Sequence, residues 1–271
     1  MALVYAVLLG VVQGLTEFLP VSSTAHLVLA ERFFGLRADL FGPSFDVACH
    51  VGTLLAVLVY FRPEIVAMVR AVPRLGTVLG PAPDPAAWMA VLIVIGTVPA
   101  VAAGLTFEHA IEARLRTPAV IAVTMAAVAF AFFAVERRGS RQRDAASLGL
   151  WDTVVIGCAQ ATALVPGVSR SGATIAAGMG LGLRRDEAAR FGFLLGIVAI
   201  LGAAVKKAWP LRHGLPPGEG PVFAIGIAAS AVVGYLAIRL FLRFLTRHSL
   251  SGFAWYRLAL AASVVVWWMG R

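Results

Sequence analysis

The stretch Pro166-Gly167-Val168-Ser169-Arg170-Ser171-Gly172-Ala173-Thr174 sets a full positive charge inside a block, about 150–183, that is otherwise apolar enough to lie in a membrane. An Arg at the centre of a spanning helix costs about 2.5–3.5 kcal/mol on insertion scales, so a charge kept there points to a functional site. Pro166 and Gly167 break the helix before them, and Ser-Arg-Ser-Gly-Ala-Thr opens a new one whose first N–H groups lack intrahelical partners. Backbone that is not helical survives at membrane depth only when buried in protein or lining a wet cavity. The stretch therefore reads as a phosphate cradle. Helix N-terminal amides from Gly172 onward, the hydroxyls of Ser169, Ser171 and Thr174, and the planar fork of Arg170 all suit phosphate oxygens.

The rest of the chain fits a membrane. Of its 271 residues 60% are hydrophobic and only 14% charged. Segments near 45–61, 88–106, 118–135, 187–205, 222–238 and 253–269 each approach the ~20 residues that cross a bilayer. Two further blocks, about 2–34 and 150–183, are each split by a Pro-containing polar turn, the pattern of a hairpin that enters and leaves on one side. The expected fold is an all-α integral membrane protein with six spanning helices and two re-entrant helix-turn-helix hairpins. The net charge of +9 is almost wholly Arg and sits in short loops between apolar runs, where it sets topology, so nucleic-acid binding gains no support. Met1-Ala2-Leu3-Val4 has no basic region suited to a cleaved signal, and the first apolar block is expected to be retained. Cys49 and Cys158 lie in apolar segments without metal-ligand spacing and are expected to be buried, inert thiols.

Along the first block, Gln13 and Glu17 share a helical face. Glu17 is the deepest carboxylate in any apolar block and needs a partner: a cation, a metal or a proton. After the break at Leu19-Pro20-Val21, Ser22, Ser23 and Thr24 suit a helix N-cap, and His26, three after Ser23, has the titration range for proton transfer. Asp46 and His50 share a face at the mouth of the next segment and read as a satisfied pair near the interface. Arg62, Arg70 and Arg74 occupy one loop; Arg137, Arg138, Arg141 and Arg143 occupy another; Arg184, Arg185, Arg243 and Arg247 follow. The positive-inside bias makes all of these cytoplasmic and both termini external.

The halves resemble each other. At an offset of 147, Gly10, Gln13, Val21, Ser22 and Ala30 fall on Gly157, Gln160, Val168, Ser169 and Ala177, and Gly96 and Gly104 are spaced as Gly226 and Gly234 are. One hairpin and three spans per half force the second half, 150–271, to insert upside down relative to the first, 1–136, with 137–149 as a basic linker. Such inverted repeats bring broken helices face to face near the midplane. The turn with Ser23 and His26 should meet the turn with Ser169 and Arg170.

These residues resemble the undecaprenyl-diphosphate phosphatase family, also called the bacitracin-resistance protein family. Its [E/Q]-x-x-x-E pair is similar to Gln13-Gly14-Leu15-Thr16-Glu17, its P-G-x-S-R-S-x-x-T motif to Pro166 through Thr174, and its P-V-S-S-T-x-H segment to Pro20 through His26. The likeness extends to Phe45-Asp46-Val47, to His50 through Ala56 and to Gly96 through Ala100. It implies a multi-pass enzyme of the bacterial cytoplasmic (inner) membrane that opens to the outer, periplasmic side. Such an enzyme removes the terminal phosphate of undecaprenyl diphosphate, a polyprenyl diphosphate lipid, with a divalent metal. A homodimer is compatible with it. The first motif opens here with the neutral Gln13, one negative charge fewer than a Glu would give. On this reading the phosphates go to Ser22, Ser169, Arg170, Ser171, Gly172 and Thr174. Glu17 with Gln13 holds Mg²⁺ or Ca²⁺ or orients water. His26 is the nucleophile, or the base that activates water or Ser23. A transporter or flippase of a phosphorylated lipid is the competing class, since it shares inverted repeats with broken helices. It would bind without a nucleophile. An inert scaffold leaves Glu17, His26 and Arg170 without a reason to be buried.

The expected topology is tested by single cysteines placed in a background without Cys49 and Cys158. A membrane-impermeant reagent outside intact cells should label residues 35–42 and 210–220 and spare 137–147. Labelling of 137–147 would refute the inverted arrangement.

Overall fold

The structure is a computed structural model that describes residues 1–33, 38–80, 82–115, 117–138, 142–208 and 219–270, excepting the side chains at 31–33, 38, 39, 43, 108, 109, 112, 203 and 206–208. Of the expected outer loops, residues 35–37 and 210–218 lie outside the described residues, as does Arg141. In order the helices are α1 (Ala2–Phe18), α2 (Ser23–Phe33), α3 (Ala38–Phe41), α4 (Pro43–Tyr60), α5 (Arg62–Ala71), α6 (Pro85–Arg114), α7 (Pro118–Arg137), α8 (Leu150–Thr162), α9 (Arg170–Gly180), α10 (Arg185–Ala208), α11 (Gly220–Leu245) and α12 (Ser251–Met269). Among the described residues there is no strand, only an isolated bridge between Arg143 and Leu183.

Local chemistry sets the helix starts. Pro43, Pro85 and Pro118 stand at first-turn positions, where a missing N–H is harmless. Asp84 caps α6 by accepting from the amides of Ala86 and Ala87, each at 3.0 Å. These bonds, the Ala87 amide foremost, hold its carboxyl below the usual carboxylate range.

Among the described residues four helices are long and apolar enough to cross a bilayer: Pro85–Phe107 within α6, then α7, α11 and α12. Ser44–Tyr60 and Arg62–Leu79, bent by 74°, make a fifth if taken as one span. The expected segment 187–205 falls within α10. Only 22–39% of the residues in the most apolar stretches of the four helices are buried, so many of their apolar side chains reach the outer surface, as lipid solvation allows. Cys49 is buried, but Cys158 is exposed, which corrects the expectation for that thiol. Its neighbours Gly157 and Gln160 take the inward face of α8 and turn Cys158 out.

The helices pack α1 on α11, α11 on α4, α12 on α7, α6 on α8, and α10 on both α4 and α9. Small residues permit the close approaches, as in membrane bundles generally. A Cβ added at Gly10 would stand 2.8 Å from the carbonyl of Gly226, and one at Gly14 would stand 2.9 Å from the amide of Gly234. A Cβ at Gly157 would collide with the main chain of Gly96.

The Arg-rich helix ends are stitched to neighbouring elements. Arg143 forks onto Asp152 (2.7 and 3.3 Å) and donates to the carbonyls of Leu181 and Ser147. Arg185 forks onto Glu136 at 2.8 and 2.6 Å, and Arg190 pairs with Glu64.

Because backbone cannot yield as a flexible side chain does, Gly157→Ala should destabilise the fold by about 1–3 kcal/mol. A thermal-unfolding midpoint in detergent equal to wild type would contradict the α6–α8 contact.

Candidate active site

Two tight turns meet at the site. The first, Leu19–Ser22, joins α1 to α2; the second, ending at Ser169, precedes α9. Among the described residues the only non-glycine residues with positive φ are Ser22 (φ 73) and Ser169 (φ 71), one in each turn. Such backbone costs roughly 1–2 kcal/mol per residue and persists where its surroundings hold it.

Glu17 lies at the centre, 8% exposed. Its Oε1 accepts from Arg170 Nη2 at 2.7 Å, a bond from one turn to the other. Its Oε2 accepts from Ser23 Oγ at 2.7 Å and from Gln13 Nε2 at 3.0 Å. Arg170 also donates Nη1 to the carbonyl of Gly196 at 2.6 Å, which fixes the guanidinium plane. A second link between the turns runs from Ser171 Oγ to the carbonyl of Leu19 at 3.2 Å.

Gln13, Glu17, Ser23 and Arg170 are thus brought into one hydrogen-bonded cluster. The other candidates lie around it. Ser169 caps α9, its Oγ accepting from the Gly172 amide at 3.2 Å and lying 3.2 Å from Ser171 Oγ. Thr174 bonds back to the carbonyls of Arg170 and Ser171. Ser22 is buried. His26 turns away from Glu17: its Nδ1 donates to the carbonyl of Ser22 at 2.8 Å. That leaves Nε2 of the neutral ring to accept from Tyr256 OH at 2.6 Å, and the two rings stack.

Two residues of the site escaped the sequence reading. His50, read there as paired with Asp46 near the interface, donates Nδ1 to the main-chain carbonyl of Asp46 and places Nε2 3.7 Å from Glu17 Oε2. Arg257 is wholly buried, and its guanidinium bonds to the carbonyls of Pro20, Gly167 and Val168, which belong to the two turns. Its signal was a lone Arg in the apolar segment 253–269, the same signal that marked Arg170.

The two oxygen ligands that the sequence reading proposed for a metal, the Glu17 carboxylate and Gln13 Oε1, both belong to this cluster. The latter is buried without a hydrogen-bond partner. Among the described residues no group of three or more His, Cys, Asp or Glu side chains is placed to hold a metal ion. These two suit a hard cation that completes its shell with water and phosphate oxygens, the usual habit of Mg²⁺.

Known proteins match this chain over nearly its whole length in sequence. The family model described as bacitracin resistance protein BacA matches residues 6–263. The undecaprenyl-diphosphatase of Rubrobacter xylanophilus is 49% identical over 263 residues, 97% of each chain. That of Trichlorobacter lovleyi is 42% identical over 98% of this chain and 97% of its own. That of Geobacter sulfurreducens is 41% identical over the full length of both. A family model that spans the chain, with relatives this similar end to end, shows that the chain belongs to the bacitracin resistance protein BacA family.

Proposed function

We propose that the protein is a membrane undecaprenyl-diphosphatase, which hydrolyses undecaprenyl diphosphate to undecaprenyl phosphate and phosphate and so recycles the lipid carrier of cell-wall synthesis. The observation that carries the reading is the chain Ser23–Glu17–Arg170, a hydroxyl, a carboxylate and a guanidinium side by side across two turns. Arg170 spends two of its five N–H donors on Glu17 and Gly196, and the rest are left for phosphate oxygens. Glu17 accepts from Ser23 Oγ, where a base must stand to take a proton from that hydroxyl or from a water in its place. Attack at the terminal phosphorus breaks its bond to the bridging oxygen. Undecaprenyl phosphate leaves with the electron pair, and the nucleophile's proton passes to Glu17. Where Ser23 is the nucleophile, water then attacks the phosphoserine phosphorus, the Ser23 oxygen leaves and regains a proton, and inorganic phosphate is released. Both ring nitrogens of His26 are engaged, which favours Ser23 or water as the attacking group and gives His26 a supporting role under Ser22. Gln13 and Glu17 would hold a divalent cation, which when bound neutralises charge on the diphosphate.

The fold proposed for this chemistry is the inverted repeat, with α1–α2 and α8–α9 as re-entrant hairpins and α4, α6, α7, α10, α11 and α12 as six spans. Residues 1–136 and 150–271 form the repeats, and 137–149 the linker. Three observations support it. The positive-φ serines stand 147 residues apart, as the sequence repeat does. Helix α1 packs on α11 while α8 packs on α6, as exchange of the halves demands. Gly10 abuts the carbonyl of Gly226 just as Gly157 abuts that of Gly96. The Arg-rich loops support a bacterial cytoplasmic-membrane location with the site open to the outer side. The Ser23–Glu17 pair also separates this reading from a transporter, which needs no nucleophile. Phosphate release from a long-chain prenyl diphosphate by purified protein, with and without chelator, tests the activity.

Arg170→Lys should lower turnover at saturating substrate by about 10²-fold or more, because a point-charge ammonium cannot reproduce a bidentate fork. Near wild-type turnover would remove Arg170 from the phosphates.

Glu17→Gln should sharply raise the metal concentration for half-maximal activity, whereas Gln13→Glu should leave it unchanged or lower it, since ligand charge as well as number sets affinity for hard cations. A midpoint unshifted in Glu17→Gln, with turnover lost at every metal concentration, would leave Glu17 as base and remove it from the metal.

A further inference from the structure

One buried cation outside the Ser23–Glu17–Arg170 chain touches both turns. Arg257, in the second turn of α12, is 0% exposed. Its Nη1 donates to the carbonyl of Pro20 at 3.0 Å. Its Nη2 donates to the carbonyls of Gly167 at 2.7 Å and Val168 at 3.2 Å. From the same side Nε reaches the carbonyl of Met125 at 3.2 Å, and the Phe132 ring lies 5.8 Å from Cζ. Among the described residues none of these partners is a carboxylate. Pro20 and Gly167 are separated by the 147 residues of the sequence repeat, and each stands two residues before a positive-φ serine. One guanidinium therefore grips the same carbonyl in both turns.

Packing alone does not account for this. A guanidinium stripped of water carries a heavy desolvation penalty that an apolar side chain of similar size would avoid. What an apolar residue cannot do is satisfy carbonyls that the turns leave without helical partners, at a spacing fixed by one rigid plane. Ser23 opens α2 and Arg170 opens α9, so the distance between the turns sets the distance between the hydroxyl and the phosphate-binding fork.

We propose that Arg257 is a positioning residue of the phosphatase site: by holding the carbonyls of Pro20 and Gly167 it fixes the separation of the Ser22–Ser23 and Ser169–Arg170 turns. The proposal rests on the phosphatase reading above. Lysine cannot replace it, because a single ammonium at the end of a flexible stem does not span carbonyls of two turns as a planar fork does.

The test compares Arg257→Lys and Arg257→Gln with wild type in detergent by three measurements: thermal midpoint, steady-state kinetics on a prenyl diphosphate, and hydrogen exchange. Turnover should fall by about 10²-fold in both variants, the scale expected when reacting groups are displaced by an ångström. KM should change little, and exchange should accelerate in residues 19–24 and 165–172 while α4 and α11 stay protected. Turnover close to wild type, exchange unchanged in either turn, or faster exchange throughout the bundle would overturn the proposal. Arg257→Lys keeps the charge and the stem, so it decides the matter if Arg257→Gln does not fold; loss of folding in both would mark a fold-wide role and also overturn it. If wild-type protein releases no phosphate, the phosphatase reading fails, while exchange in the two turns still reports on the grip of Arg257.

Discussion

The buried pair of Glu17 and Arg170 is the interaction on which the site depends. Its partners lie 153 residues apart, yet they meet at 2.7 Å with side-chain exposures of only 7% and 16%. Two charges removed from water repay their desolvation only when their remaining hydrogen-bonding capacity is used. Here the carboxylate's is used by Ser23 and Gln13, while the guanidinium also donates to the Gly196 carbonyl and keeps its other donors for the phosphate oxygens of the proposed substrate. Loss of either partner would strand the other, typically at about 3–5 kcal/mol. The pair therefore joins the two turns and presets the groups proposed to handle phosphate.

The turns in their turn need the bundle. Each places a serine at positive φ, and each exposes carbonyls that no helix satisfies. In lipid those groups would be untenable. Arg257 from α12 and Thr124 from α7, whose Oγ1 donates to the carbonyl of Pro166 at 2.7 Å, supply the missing donors. Gly167, at φ 91, lets the second turn sit against α7, since a Cβ there would strike Thr124 and the main chain of Ile121. Strain concentrated at a candidate site and supported by distant helices is the arrangement expected where geometry serves chemistry.

Much of this was legible in the sequence because polar residues in an apolar block advertise themselves. Glu17, Ser23 and Arg170 stood out for that reason, and the internal likeness of the halves brought their turns together before any coordinates did. What escaped depended on helix phase. His50 lies on α4, whose rotation is set by Gly52 seating against Ser230 and the carbonyl of Ile227 on α11, and only that contact shows His50 turned to Glu17. His26 shares a helical face with Ser23 by spacing, yet its ring is drawn to Ser22 and Tyr256. Tyr256 and Arg257 arrive from the last helix, and no local pattern ties α12 to residues more than two hundred positions earlier. Cys158 was misjudged because an apolar residue on a membrane helix is as much at home facing lipid as facing protein.

The charge balance of the site explains how Gln13 can stand where a second carboxylate would be allowed. Glu17 is paired with the guanidinium of Arg170, so one acid faces one permanent cation. Gln13 donates to Glu17 at 3.0 Å. A carboxylate in its place would accept rather than donate and would set two like charges at that distance, an arrangement that needs a cation or a shared proton. With the amide, the carboxylate is fixed by neutral donors and one guanidinium, and the pair sets no net negative charge against an incoming diphosphate. A divalent ion, in the proposal that Glu17 and Gln13 hold one, would then serve to balance the charge that the phosphates bring.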